Sequence, residues 1–129
     1  MLILTIRTDK PEAELGLYND DVQLAYHTWM AHRELAETIQ KQIGKLLESK
    51  GKTLNDLGAV IVYQGPGSFT GLRIGISIAN ALAYGLNIPV VSEGVDWIET
   101  GVSRLISGDK DEVALPEYGS LPNVTEQRK

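Results

Sequence analysis

Residues 65–75 read GPGSFTGLRIG, the stretch of this chain best suited to chemistry. They follow an apolar, β-branched run at residues 60–63 and lead into a long apolar helical pattern. At a strand, glycine-rich turn and helix start, unpaired N–H groups and the positive end of the helix dipole point the same way, so an anion could bind there. Gly65 and Gly67 allow close backbone approach, Pro66 stiffens the turn, and Ser68 or Thr70 can cap the helix. Gly65, Pro66, Gly67 and Ser68 therefore form a candidate phosphate loop. It lacks the lysine of the G-x-x-x-x-G-K-[ST] pattern, and Thr70 stands where G-x-G-x-x-G needs its third glycine. The competing reading is a structural turn that delivers the helix.

The other reactive residues are sparse. Asp9 is the one acid at the end of the first apolar run able to hold Mg²⁺ for a nucleotide-dependent kinase or ATPase. A two-metal nuclease needs several clustered carboxylates, but Arg7 occupies the key strand and no second strand acid compensates. His27 and His32 are five apart across an expected strand-to-helix change, which is not the i,i+4 pair of a zinc protease. The absence of cysteine removes disulfides, thiolate metal sites and a thiol nucleophile, and it fits a reducing compartment. A net charge of -5 argues against free-standing nucleic-acid binding, which needs a basic footprint.

These residues must be positioned by a single domain, because 129 residues support one core but not two full lobes. The start of the chain lacks the basic, long apolar pattern of a signal peptide. The apolar run at 74–86 is shorter than the roughly 20 residues that cross a bilayer. A soluble, cytoplasmic protein without membrane partners is the default expectation. Strands are predicted at residues 2–8, 13–18 and 22–29, with Asn19, Asp20 and Asp21 as a turn. A helix follows at 31–50 with Leu35, Ile39, Ile43, Leu46 and Leu47 on one face, and Gly51 stops it. Then come a strand at 57–63, the glycine-led helix, a strand at 87–92 and a helix at 94–107. Residues 1–107 form the lobe, and residues 108–129 form a tail. Within the tail a short strand is placed near Val113, and Asp109, Asp111 and Glu112 read as a solvated loop. The segments at 116–119 and 122–125 either dock along a partner or the chain's own sheet, or form a flexible end.

The order β-β-β-α-β-α-β-α predicts a mixed five-stranded sheet with helices on its faces, an α/β single lobe of the ribonuclease H-like, actin-like (ASKHA) class. In the glycine-led helix, Gly71, Gly75, Ala79 and Ala83 recur every four residues as a ridge of small side chains. Leu72, Ile74, Ile76, Ile78, Leu82 and Leu86 cover most of the remaining circumference. A helix apolar nearly all round is buried on more than one side. One side is assigned to the sheet and the small-residue ridge to a second polypeptide, the alternative being that the ridge packs onto the chain's own sheet. Tyr84 and Trp97 are expected as core or interface aromatics.

GPGSFTGLRIG resembles the signature of the TsaB (YeaZ) family, which helps make threonylcarbamoyladenosine in tRNA, and the resemblance covers about the first hundred residues. It implies an actin-like fold and homodimers. It also implies a TsaD partner carrying the catalytic metal and nucleotide, an ATPase (TsaE) that joins them, and only indirect contact with tRNA. This chain would then have no catalytic residue and no cofactor of its own, with ATP, Mg²⁺ and metal held by the partner subunits. The family's dimer surface would fall on His32, Leu35, Ala36, Ile39 and Ile43 of the first helix. On the second it would fall on Thr70, Gly71, Arg73, Ile74, Gly75, Ile78, Ala79 and Leu82; Arg73, the only cation near the loop, either salt-bridges a partner carboxylate or solvates the helix's first turn. Two departures stand out. The family's Asp-Thr-Ser at the end of the first strand is Arg7-Thr8-Asp9 here, and the usual second lobe is missing. Both point away from catalysis. The remaining rivals are a nucleotide-binding ATPase lobe and an interaction module for another partner.

Overall fold

The sheet is built outward from β1 (Leu2–Arg7). A short connection leads to β2 (Glu12–Asn19), which pairs antiparallel with β1, and the Asp20–Asp21 turn leads to β3 (Val22–Met30) on the far side of β2. A 3-10 turn at His32–Glu34 precedes α1 (Leu35–Glu48); β4 (Ala59–Tyr63), α2 (Phe69–Leu86), β5 (Val90–Glu93) and α3 (Trp97–Ile106) complete the order. The strands lie β3-β2-β1-β4-β5, with β4 parallel to β1 and β5 parallel to β4. This is the expected β-β-β-α-β-α-β-α mixed sheet. The structure is a computed structural model that describes residues 1–117, with nothing given for the side chains of His32 and Phe69.

Helices cover both faces. Thr5 sits opposite Ile61 in the β1–β4 register, so the two share a face, whereas Thr8, three residues on, points to the other. Gly101 of α3 lies against the Ile61 side chain, and Gly75 of α2 lies against Thr8. Thus α3 packs on one face and α2 on the other, with α1 beside α2 over β2 and β3. All five residues of β4 are buried, as a strand covered on both faces requires. Leu35, Ile39, Ile43, Leu46 and Leu47 point inward from α1, while Leu72, Ile76, Ala79 and Ala83 do so from α2. No helix among the described residues is long and apolar enough to cross a membrane.

Several boundaries shift for local reasons. α1 begins at Leu35 because the chain first winds through the 3-10 turn. Asn87 belongs to the end of α2, not to the next strand. It adopts φ +56 as the helix cap, and the following Ile88 N–H donates to the Ala83 carbonyl at 3.0 Å. α3 starts at Trp97, after Asp96 at φ +58. The small-residue ridge of α2 is the main correction. Its space is taken by the chain's own β1: a side chain at Gly71 would strike the Thr8 carbonyl, and one at Gly75 the Thr8 hydroxyl. The Thr8 hydroxyl donates to the Gly71 carbonyl at 2.7 Å and closes the contact.

Residues 109–117 cross back over the sheet edge and α2. Asp111 N–H donates to the Val90 carbonyl, and the Asp111 carboxylate accepts from Ser92 N–H at 2.8 Å and Ser92 Oγ at 2.9 Å. Arg104 reaches Asp111 at 2.7 Å, Asp109 at 2.8 Å and Glu93 at 3.0 Å. Asp111 is therefore a fastening and not part of a solvated loop. No strand forms at 113–115; instead the Asn80 side-chain amide exchanges two hydrogen bonds with the backbone of Ala114, which is buried. The Glu117 N–H donates to the Gln64 carbonyl at 2.6 Å. The tail segments from 118 onward lie outside the described residues.

Candidate functional site

The glycine-rich loop leaves β4 at Tyr63, passes a cis Gly65–Pro66 peptide and enters α2 at Phe69. Gly65 adopts φ +112, which favours glycine, and it lies directly under the Glu117 carbonyl. Gly67 lies against Asp9, whose Oδ2 is 2.9 Å from where a side chain would begin. The Tyr63 hydroxyl donates to the Pro66 carbonyl at 2.8 Å. Ser68 precedes the helix without a side-chain cap, and its carbonyl accepts from Leu72 N–H at 2.9 Å. The space where side chains at Gly65 and Gly67 would stand is thus taken by the chain's own oxygens, one of them on a carboxylate, as in a tight structural turn, and a cavity of about 500 Å³ lined by Asp9, Lys10, Arg33, Ser68 and Thr70 opens beside the loop.

Asp9 has a local partner. Arg7 Nε donates to its Oδ1 at 2.8 Å and Nη2 to its Oδ2 at 3.3 Å, and the guanidinium carbon lies 3.9 Å from the Tyr63 ring centroid. The hydrogen bond to Asp9 holds the Arg7 guanidinium above its ordinary pKa, against the opposing effect of burial. With both carboxylate oxygens engaged by a cation, these residues do not fit a divalent-metal site. Among the described residues no group of three or more His, Asp or Glu gathers as metal ligands.

The expected dimer surface divides in two. Leu35, Ile39, Ile43, Gly75 and Ala79 are buried inside the chain's own fold, and Gly71 is closed off by Thr8. They hold the helices in place, although Ile43 also reaches the wall of a groove between α1 and α2, and Leu35 and Gly71 that of the cavity beside the glycine-rich loop. Ala36, Thr70 and Arg73 are exposed, and Ile74, Ile78 and Leu82 are half-buried. The backbone of His32 opens the 3-10 turn at the head of α1.

The outward-facing residues come together along the crevice between α1 and α2. One groove, of about 400 Å³, is lined by Ala36, Thr70, Arg73, Ile74, Ser77 and Ile78. A second, of about 240 Å³, continues past Ile78 along Gln40, Ile43, Gly44, Leu54, Ala81 and Leu82. Gln40, Gly44, Ser77 and Ala81 are absent from the sequence expectation. The available signal was a second set of small residues: Ala36 and Gly44 are exposed on α1, and Ser77, Ala81 and Gly85 on α2. Open space surrounds Gly44, so its lack of a side chain serves nothing inside the fold. Trp97 is core, edge-on to Tyr63 at 6.0 Å, whereas Tyr84 is 91% exposed and away from both grooves.

Comparison with known proteins agrees with this geometry. Residues 29–99 match the profile of the family described as TsaD: tRNA N6-adenosine threonylcarbamoyltransferase. The tRNA threonylcarbamoyladenosine biosynthesis protein TsaB of Escherichia coli is 34% identical over 115 residues, covering 83% of this chain and 49% of that protein. Among solved structures, YeaZ from Pseudomonas aeruginosa superposes with a TM-score of 0.66 at 28% identity, covering 72% of this chain and 43% of the other. Thermus thermophilus RuvC, at 15% identity and a TM-score of 0.54, shares the fold alone, over 92% of this chain and 86% of its own. The chain spans about half the length of the relatives it matches. The matched segment runs from the end of β3 to the first turn of α3 and so contains the glycine-rich loop and both crevice helices. With its signature, strand order and YeaZ-like lobe, the chain belongs to the family of tRNA threonylcarbamoyladenosine biosynthesis proteins that includes TsaB (YeaZ) and TsaD.

Proposed function

We propose that this chain is a non-catalytic assembly subunit for threonylcarbamoyladenosine synthesis in tRNA, docking its α1–α2 crevice onto a TsaD-like catalytic subunit. The observation that carries this reading is the crevice itself. Half-buried Ile74, Ile78 and Leu82 form its floor, and small residues at Ala36, Gly44 and Ala81 keep it open. A helix laid into such a groove buries apolar area that is otherwise wet, at about 25 cal/mol per Å² before the costs of association. The Arg7–Asp9 pair, at the strand end where the family carries an acid, supports a role outside the chemistry. By preferring the active form of its partner, the chain raises that form's population without touching the substrate. ATP, Mg²⁺ and metal then belong to the TsaD-like and TsaE-like subunits, tRNA is met through the complex, and the chain alone dimerises through the same crevice.

The test is reconstitution with the TsaD-like and TsaE-like proteins of the same organism. Ala36→Arg and Ala81→Arg place long side chains at exposed crevice positions, where substitutions change stability by at most about 0.5 kcal/mol. Loss of both the complex and threonylcarbamoyl transfer to tRNA, with the melting curve unchanged, is the expected result. A stable, active complex with the double variant overturns the assignment.

A further inference from the structure

The face of β3 that packs toward α1 carries Ala25, His27 and Trp29, each about 7 Å from the next along the strand. His27 and Trp29 stack with 5.8 Å between ring centroids and 12° between planes. Trp29 is held from α1: its Nε1 donates to the Thr38 hydroxyl at 3.1 Å, and that hydroxyl donates to the Glu34 carbonyl at 2.8 Å. One face of the His27 ring is therefore covered by a fixed indole. On the other side of His27 stands Ala25, whose single methyl is too short to cover an imidazole. A cavity of about 490 Å³ opens there between β3 and the last two turns of α1, with Gln42, Lys45 and Leu46 on its helical wall. Leu46 is buried and apolar, and Gln42 is half-buried. The Gln42 amide, a donor and an acceptor together, makes no side-chain hydrogen bond among the described residues, and neither do the ring nitrogens of His27. Lys45 is exposed and forms no ion pair among them. Among the described residues no carboxylate lines the cavity, so nothing in its wall repels an anion. A stacking ring, an amide able to meet a polar edge and one cation are the groups that proteins turn toward an unstacked nucleotide.

We propose that this cavity binds a single nucleotide, with the base stacked on His27 over Ala25, its polar edge at Gln42 and its phosphate at Lys45. The base extends the His27–Trp29 pair to a stack of three, and the indole behind keeps the imidazole in place to receive it. One cation matches one phosphate, and a net charge of -5 works against a longer strand lying across the surface. The cavity shares no lining residue with the two grooves of the α1–α2 crevice and lies on the other flank of α1, so the site neither needs nor blocks docking there.

The test is NMR of the full chain with its alanine methyls labelled, because a base stacked over Ala25 shifts that methyl through its ring current. Adenosine and uridine monophosphates are titrated beside ribose 5-phosphate, which lacks the base, and adenosine, which lacks the phosphate. A saturable shift at Ala25 with the nucleotides and none with ribose 5-phosphate is the expected result. His27→Ala should weaken nucleotide binding about tenfold or more, the loss of one base–ring stack. Lys45→Ala, at an exposed position, should remove the preference for adenosine monophosphate over adenosine while leaving the melting curve unchanged. The Ala25 shift should persist with Ala36→Arg and Ala81→Arg combined, which separates this site from the crevice. A short single-stranded oligoribonucleotide distinguishes the sources: tighter binding than the monophosphates at the same methyl assigns the site to a nucleotide of an RNA, and equal or weaker binding assigns it to a free mononucleotide. An Ala25 methyl that does not move at millimolar nucleotide overturns the inference, as does a phosphate preference that Lys45→Ala leaves intact.

Discussion

Arg7 and Asp9 form a closed pair at the end of β1. A guanidinium seated on Tyr63 and bonded to both carboxylate oxygens neutralises Asp9 locally and would repel a second cation there. Asp9→Ala is expected to destabilise the fold by about 1–3 kcal/mol in urea denaturation, because a largely buried, charge-assisted bond loses one partner. Calorimetry with ATP and Mg²⁺ on the isolated chain should show no binding that Asp9→Ala abolishes; such binding would favour an ATPase lobe. Asp111 is the other informative residue. Burial pushes its carboxyl up, but bonds from Arg104 and from Ser92 N–H and Oγ together outweigh this and hold it below the usual aspartate range. A pKa depressed on folding gives stability that is present above the unfolded value and lost as pH falls through the folded one. Thermal stability should therefore drop on acidification below about pH 4, and Asp111→Asn should flatten that part of the profile while lowering stability at neutral pH. An unchanged acid limb in Asp111→Asn means that Asp111 does not fasten the 109–117 segment.

Among the elements, α2 does two jobs with two sets of small residues. Gly71, Gly75, Ala79 and Ala83 let it settle on β1 and β4, and Ser77 and Ala81 keep its flank shallow beside α1. Gly75→Ala should cost about 1–3 kcal/mol of stability by overpacking against Thr8, lowering complex formation only through folding. Gly44→Ala should do the reverse on α1, raising stability by about 0.5–1 kcal/mol, since open space surrounds it and glycine is a poor helix former. Gly44→Trp should fill the crevice and reduce partner binding in co-purification. These glycines also show how far the chain was legible. The strands and helices could be read from apolar patterning and turn residues, and the lobe class from their order. Which face of α2 met the sheet could not, because a helix apolar nearly all round has no periodic contrast to orient it. The hydroxyl of Thr8, sixty-three residues from Gly71, decided that question. Likewise an acidic loop and a fastening look alike until Arg104 and Ser92 are placed beside Asp111.

At the scale of the molecule, the 109–117 segment, the glycine-rich loop and the crevice form a connected support. Asn80 of α2 holds Ala114, Glu117 closes over Gly65, and the loop fixes the start of α2. A lobe braced in this way presents α1 and α2 rigidly, and a preformed surface spends less of its binding energy on ordering. Asn80→Ala should weaken partner affinity modestly while leaving the crevice residues untouched, a split readable by calorimetry against the melting curve. The central claim is that the α1–α2 crevice meets a TsaD-like subunit, and hydrogen exchange of the full chain with and without that subunit tests it most directly. The account predicts slowed exchange in residues 36–44 and 70–82 on complex formation, with the Gly65–Ser68 turn little changed. Slowing confined to the turn, the 109–117 segment or the sheet, with both crevice helices unaffected, would contradict it.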